Sequence, residues 1–501
     1  MNKQIFLLLT VLIANAAVLS GCGDTEKPAD STTAAAQTTA VVEAETTAED
    51  AVLVKDNLPD DLDFGGETIT IHIRNGDGGN PLGNCVMEMT VEALTGEILN
   101  DAIYNRNLAV SERLNIKLDP YVSYDYTGYG TARKEILASI SAGDDTYDII
   151  AGWCQGEIAS LILDGCFLEL SDANYLDLSQ PWWNQALAQS APMGGKMYFV
   201  TGECNILTSL GSAYSVFVNE KIQNDYDIEP LAETVLNGTW TIDKMGEITK
   251  TVQNDINGDG KLDADNDRVG LVLLNYHPAD AFYTSLDCHQ IKIDDAGNLT
   301  YEPDGDRIQR AIEKVYDLHY NNPGAIGWVE NGVSRKVFAD GRALMTMEFM
   351  EAAREEFRFM EDSYYIIPMP KLDEQQEQYY TYFYNNLTVL SVPVTNANTD
   401  ATFATMEALC SESYNHVTPV FFEDCMQNKY ARSETTVQML ELIRSTCYVD
   451  YEYVYGTFFN KPVNLFRDLI GGKSSDSASW IAKNTKRINR FIEKTLESFN
   501  G

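Results

Sequence analysis

Short apolar runs of strand type alternate with helix-type stretches along most of this 501-residue chain, and that rhythm restricts it to an open, mostly parallel sheet with helices on its faces. Residues 68–73 alternate, with Ile69, Ile71 and Ile73 on one side. A helix-type stretch follows over 95–115, with Ile98, Ile103, Leu108 and Leu114 along one face. Strand-type residues 114–118, a helix over 132–142 closed by Gly143, and a strand over 147–151 leaving into Trp153 complete a first block. A second block has strands at 214–218, 269–274, 343–347 and 364–367. Its helices are expected from Asn219 onward and over 243–253. Further helices are expected over 401–413, 436–444 and 480–499. Two such blocks suit a chain of this length, which predicts at least two domains. No solenoid period is present.

The N-terminus places the protein. Lys3 precedes an apolar run over 5–19, broken by Thr10 and Asn15, and the run ends in Leu19-Ser20-Gly21-Cys22. It is shorter than the roughly 20 residues a bilayer core needs. The segment resembles a bacterial lipoprotein signal, with residues 1–21 removed and Cys22 lipidated as the new N-terminus. That implies a chain anchored by lipid at the extracellular face of the cytoplasmic membrane. Residues 22–62 read as a disordered tether, because 23–51 hold Asp, Thr, Glu and Ala with no period. Lys plus Arg is 36 against 75 Asp plus Glu, a net charge of −39. Such a chain repels nucleic acid and anionic headgroups and favours a neutral or cationic ligand or a divalent cation. Of nine cysteines, Cys22 is reserved for lipid. The other eight form no CxxC pair, and their pairing stays open.

Six further segments carry a resemblance. They are Gly143-Asp144-Asp145-Thr146-Tyr147-Asp148-Ile149-Ile150, Gly195-Lys196-Met197-Tyr198-Phe199-Val200 and Phe217-Val218-Asn219-Glu220-Lys221. Gly238-Thr239-Trp240-Thr241-Ile242-Asp243, Phe338-Ala339-Asp340-Gly341-Arg342-Ala343 and Ile367-Pro368-Met369-Pro370-Lys371 follow in order. Together they resemble the extracellular solute-binding lipoproteins of carbohydrate-type ABC importers, with Glu220 inserted before the usual lysine. The resemblance implies a periplasmic-binding-protein-like type II fold: two α/β lobes joined by crossover strands near 198–209 and 380–393. It places lobe 1 at 63–205 plus 385–430 and lobe 2 at 206–384 plus 431–501. It also implies a monomer that closes by a hinge around a carbohydrate and delivers it to ABC permease membrane subunits.

Ligands of open α/β sheets sit beyond the carboxyl ends of strands. That rule selects Arg74 and Asn75, Trp153 and Gln155, and Glu348 and Phe349. Sugars need aromatic planes for their ring faces and polar side chains for their hydroxyls. Trp328, Trp182, Trp183 and Tyr384 join the candidates on that ground, and Glu203 through its place beside the first crossover. Trp240 is read as structural, between Thr239 and Thr241 with their capping chemistry.

Asp255-Ile256-Asn257-Gly258-Asp259-Gly260-Lys261-Leu262-Asp263 fits the start of an EF-hand-type loop. Asp255, Asn257, Asp259, Lys261 (through its carbonyl) and Asp263 are candidate ligands for a structural calcium. Asn266 stands where the loop's glutamate belongs, so Asp267 is the candidate for closure. A helix is expected before the loop and a strand after it. Asp265 adds to a crowd of carboxylates that repel without a cation.

No nucleophile elbow, zinc-protease, phosphate-loop or dinucleotide motif occurs. His72, His277, His289, His319 and His416 are scattered. A secreted glycoside hydrolase needs two placed carboxylates. Glu348 offers one, but no second acid stands out and no eightfold barrel rhythm is seen, so a non-enzyme is expected. A receptor for a peptide or another non-sugar solute is the alternative.

Overall fold

The run around Ile69, Ile71 and Ile73 folds as strand β1 (Glu67–Asn75), with all three side chains buried. Its other face is covered too. His72 packs between the rings of Tyr121 and Tyr147, at 5.4 and 4.9 Å. The computed structural model describes residues 53–75, 85–124, 130–190, 195–294, 298–383, 387–426, 434–449, 451–456 and 461–500. Cys22, the signal and the tether up to residue 52 lie outside the described residues, as does Tyr384.

The other strands are β2 (Ile116–Tyr124), β3 (Ile149–Trp153), β4 (Tyr214–Asn219), β5 (Gln253–Asn254), β6 (Arg268–Leu274), β7 (Ile291–Ile293) and β8 (Leu299–Tyr301). After them come β9 (Ala325–Val329), β10 (Ala343–Phe349), β11 (Tyr364–Ile367), β12 (Thr381–Tyr382), β13 (Thr388–Ser391) and β14 (Cys447–Tyr448). Two main sheets result. The first runs β13-β3-β1-β2, with β1 parallel to β2 and β3 and β13 antiparallel to β3. The second runs β11-β4-β10-β6-β5, with β9 on β6. Its β10, β6 and β9 are parallel, while β4, β11 and β5 pair antiparallel. The second sheet is thus more mixed than the alternation predicts. Strand β4 leaves the junction between the sheets where β10 arrives at it, Tyr214 facing Phe349, so the two run oppositely.

The chain crosses between the sheets near the positions that the resemblance implies. Val200 bridges Leu390 and Ala213 bridges Phe383, both antiparallel, so the outgoing and returning segments lie side by side. Strands β4 and β10 are buried along their whole length, as expected for central strands covered on both faces. Close packing of helix Ile242–Thr249 on the second sheet depends on two glycines. A Cβ on Gly270 or Gly324 would sit 2.1 or 2.0 Å from the Thr249 carbonyl oxygen. Helix Ile98–Leu114 buries Leu99, Ile103, Val110 and Leu114, leaving Ile98 and Leu108 exposed against the expected face. Asn219 caps helix Glu220–Asp225 by accepting from the Ile222 amide at 2.9 Å, and Gly143 ends helix Thr131–Ala142 at φ 74°. Trp240 is buried with its indole N–H on the Pro368 carbonyl, 2.9 Å, and Thr241 caps the next helix.

Three expectations are corrected. The tether does not extend to residue 62: Asn415 brackets Val54 by two hydrogen bonds, and Asp56 accepts from Arg113 at 2.7 and 2.6 Å. Arg74, Asn75, Trp153, Glu348 and Phe349 lie inside β1, β3 and β10, not beyond them; of the six residues the rule selects, Gln155 alone follows its strand. The helix expected over 243–253 stops at Thr249, so β5, not a helix, precedes the acidic loop. All eight cysteines other than Cys22 are free and buried.

Candidate functional site

At the carboxyl end of β3 the chain turns sharply under Trp153. A Cβ on Gly156 would lie 2.1 Å from the indole, so only glycine lets the backbone pass beneath that ring. Arg74, 6 % exposed, lies over the other part of the ring with its guanidinium 4.7 Å from the centroid. Its Nε is 3.9 Å from Glu157, and the Glu157 carboxylate also accepts from the Trp153 amide at 2.8 Å. Arg74 therefore orients Trp153 through a cation–π contact and offers little surface of its own. Asn75 closes β1, half-buried.

Gln155 reaches out of this turn and donates to the Tyr453 carbonyl at 2.7 Å. The opposite wall comes from helix His277–Ser285, which follows β6, and from segments near the C-terminus. Gln155, Asp280, Tyr283, Tyr382, Tyr453 and Arg467 line a narrow groove of about 50 Å³, together with Thr284, Lys461 and Asn464. Asp280 and Arg467 form a two-point ion pair, Nε to Oδ1 at 3.0 Å and Nη2 to Oδ2. Burial pushes the Asp280 carboxyl up to about 6, while the Arg467 charge pulls it down. Tyr382 and Tyr453 meet edge-on at 5.6 Å, and Tyr214 stands 6.4 Å from Tyr382.

The same end of the second sheet carries an aromatic shelf. Phe349 packs edge-on against Tyr214 at 4.9 Å and His277 at 5.4 Å. Burial and the nearby Arg467 and Arg335 charges hold His277 at about 4, so its ring is neutral at physiological pH. Tyr276 and Trp328 meet edge-on at 5.4 Å with φ of +61° at each. At Tyr276 (φ 61°, ψ −65°) the His277 amide donates back to the Asn275 carbonyl at 2.8 Å. This is a γ-turn of the rare, strained hand. It leaves the Tyr276 ring 47 % exposed, with Arg467 5.5 Å from its centroid. Trp328 is seated by Gly471, where a Cβ would come within 2.7 Å of the indole.

Of the expected residues, Gln155 lines the groove, Trp153 adjoins it in the chain, Trp328 reaches it only through Tyr276 and Arg467, and Phe349 is buried behind Tyr214. Asp280, Tyr382, Tyr453 and Arg467 line it without having been singled out by the sequence. The positive φ at Tyr276 and the late-chain supply of Tyr453 and Arg467 leave no local signature. Glu348 does not reach the groove. It is 1 % exposed and accepts from Ser334 at 2.8 Å and Arg335 at 3.1 Å.

Trp182, Trp183 and Glu203 stand elsewhere. Both indoles are buried and donate to Glu407, at 3.1 and 2.9 Å, and burial pushes that carboxyl up to about 7. Glu203 accepts from Arg444 at 3.0 Å and Thr418 at 2.6 Å, and is not part of the groove. These residues border a second cavity of about 200 Å³ beside the first crossover.

In the acidic loop the carboxylates bind the loop's own amides. Asp255 accepts from Gly258 and Gly260, each at 2.7 Å, Asp259 from Lys261 at 2.9 Å, and Asp263 from Asp265 at 2.8 Å. Asp267 accepts from Ile256 and Asp263, each at 2.9 Å. Among the described residues, no three His, Cys, Asp or Glu converge as a metal ion requires.

No family model matches the chain, and no curated protein matches it in sequence. Solved structures match it in fold. The GacH receptor of Streptomyces glaucescens, determined unliganded and with acarbose, aligns with a TM-score of 0.51 at 13 % identity, over 86 % of this chain and 99 % of that one. The maltose/maltodextrin-binding domain MalE of Bdellovibrio bacteriovorus, bound to maltotriose, gives 0.50 at 15 % identity, over 86 % and 100 %. Apo RafE of Streptococcus pneumoniae gives 0.52 at 14 % identity, over 86 % and 100 %. Two α/β sheets joined by paired crossovers, aligned along nearly the full length of such proteins, give this chain the periplasmic-binding-protein-like fold of the MalE-type sugar receptors.

Proposed function

We propose that this protein is a lipid-anchored extracellular receptor that captures a carbohydrate, of oligosaccharide size, between its two sheets and passes it to an ABC permease. The groove lined by Gln155, Asp280, Tyr382, Tyr453 and Arg467 carries the reading. It lies beyond the carboxyl ends of β3 and β6, and it pairs aromatic surface with fixed hydrogen-bonding groups. Sugar ring faces stack on such rings, while carboxylate, guanidinium and amide groups take the hydroxyls. The fold is that of proteins described with acarbose and maltotriose. The groove is smaller than a sugar ring, so the walls part for entry, and ligand stabilises the closed arrangement.

Thermal shift of the purified protein against oligosaccharides, peptides and polyamines tests the ligand class, since binding to the native state alone raises the melting temperature. A rise with an oligosaccharide supports the proposal. A rise confined to peptides or polyamines moves the chain to the non-sugar alternative. Hydrolysis of a chromogenic glycoside would reinstate the enzyme. Lipidation at Cys22 is tested by Cys22→Ser, which should release the protein from cells into the medium. For residues 255–267 we propose a structural calcium, supported by the spacing of Asp255, Asn257, Asp259, Asp263 and Asp267. Binding requires these carboxylates to turn from the amides toward a common centre.

A further inference from the structure

Cys204 and Cys410 are 206 residues apart in sequence, yet their sulfurs lie 3.2 Å from each other, the Cys410 thiol donating to Cys204 Sγ. Both side chains are fully buried. Cys204 sits in the turn Glu203–Asn205, at the start of the outgoing crossover, and Cys410 in helix Thr399–Glu412. The space is shaped for this meeting: a Cβ on Gly202 would lie 2.8 Å from Cys410 Sγ.

The charge beside the pair is unusual. Arg106 is 2 % exposed, and its guanidinium donates to neutral acceptors. These are the carbonyls of Cys204 at 3.4 Å and Glu88 at 2.7 Å, Ser413 Oγ at 3.1 Å, and Asn107 Oδ1 at 2.8 Å. Burial pushes the Cys410 thiol well above its ordinary value, so the thiolate that attacks a disulfide forms before the pair is enclosed.

We propose that Cys204 and Cys410 form a structural disulfide in the oxidised, extracellular protein, fixing the start of the first crossover to helix Thr399–Glu412. The oxidant is a small-molecule or protein disulfide, met while the chain folds and the thiols are accessible. One thiolate attacks a sulfur of that disulfide, forming a mixed disulfide and expelling one thiol. The second thiolate then attacks the protein sulfur, expelling the other thiol. Two protein thiols lose two electrons and two protons, and the oxidant's disulfide becomes two thiols. This inference does not depend on the carbohydrate reading.

The test refolds the full chain from denaturant in a reduced and oxidised glutathione buffer, blocks free thiols by alkylation, and maps the unreduced peptides by mass spectrometry. A linked pair containing Cys204 and Cys410 is expected, and dithiothreitol should then lower the melting temperature. In a Cys204→Ala variant the linked pair should vanish and the response to dithiothreitol with it. Recovery of both residues alkylated from the refolded wild type, or in bridges to other cysteines, overturns the proposal.

Discussion

Tyr276 supplies the sharpest test of how the candidate site is built. Its backbone sits at φ 61°, ψ −65°, where a Cβ is strained and glycine is not. Replacement by Ala or by Gly removes the same ring contacts. The edge contact with Trp328 at 5.4 Å contributes about 0.5–1.5 kcal/mol. The Arg467 contact at 5.5 Å contributes about 0.5–1 kcal/mol at an exposed site. The two variants therefore differ only in their backbone. Ala keeps a strain of about 1–3 kcal/mol. Gly sheds it but loses about 0.5–1 kcal/mol in unfolded-chain entropy. Tyr276→Gly should thus be more stable than Tyr276→Ala by about 1 kcal/mol, the reverse of the usual order of these residues in regular structure. Urea denaturation of the two purified variants reads the difference directly. An Ala variant as stable as the Gly variant, or more so, would refute the strained turn and its role in presenting the ring.

Other outcomes follow from the same geometry. Trp153→Ala should weaken binding of whichever oligosaccharide raises the melting temperature by about tenfold, the loss of one stacking surface, with the fold intact; titration calorimetry showing unchanged affinity removes Trp153 from the site. Glu88 is fully buried beneath Thr208, which donates its amide at 2.9 Å and its hydroxyl at 2.8 Å, and burial raises the carboxyl from 4.5 to about 7. The folded chain thus holds this proton more tightly than the unfolded chain. Its stability contribution is full below about pH 4.5 and is lost as pH rises toward 7, by on the order of 3 kcal/mol. Glu88→Gln should flatten that part of the stability profile, and an unchanged slope between pH 5 and 8 would contradict the assignment. Calcium should raise the melting temperature of the wild type and not of Asp259→Ala; no response of the wild type to a chelator ends the calcium proposal.

Much of the architecture is legible in the chain because period and capping are local. The alternation around Ile69, the cap at Asn219 and the stop at Gly143 each announce their element within a few residues. Strand ends were harder where a charge suggested an exit. By sequence, Arg74 and Glu348 read as the first solvent-facing residues after a strand, but Trp153 and Arg335 accommodate them inside it. Trp182 and Trp183 looked like sugar platforms because nothing nearby in sequence reveals Glu407, 225 and 224 residues away, which receives both indoles. The rule about sheet topology leads to Gln155, which lines the groove, and to Trp153, the last residue of β3. Tyr276 carries no such signal, because its exposure comes from a backbone angle that side-chain type does not encode.

The bridges at Val200–Leu390 and Ala213–Phe383 bear on how the molecule moves. Two loose threads between the sheets would allow swivelling in any direction. Bridged at both ends, the two crossovers are tied to each other and cannot swing independently. In the receptor role proposed above, the walls that bear Gln155 and Asp280 would thus part and meet about one shared junction, returning to the same register.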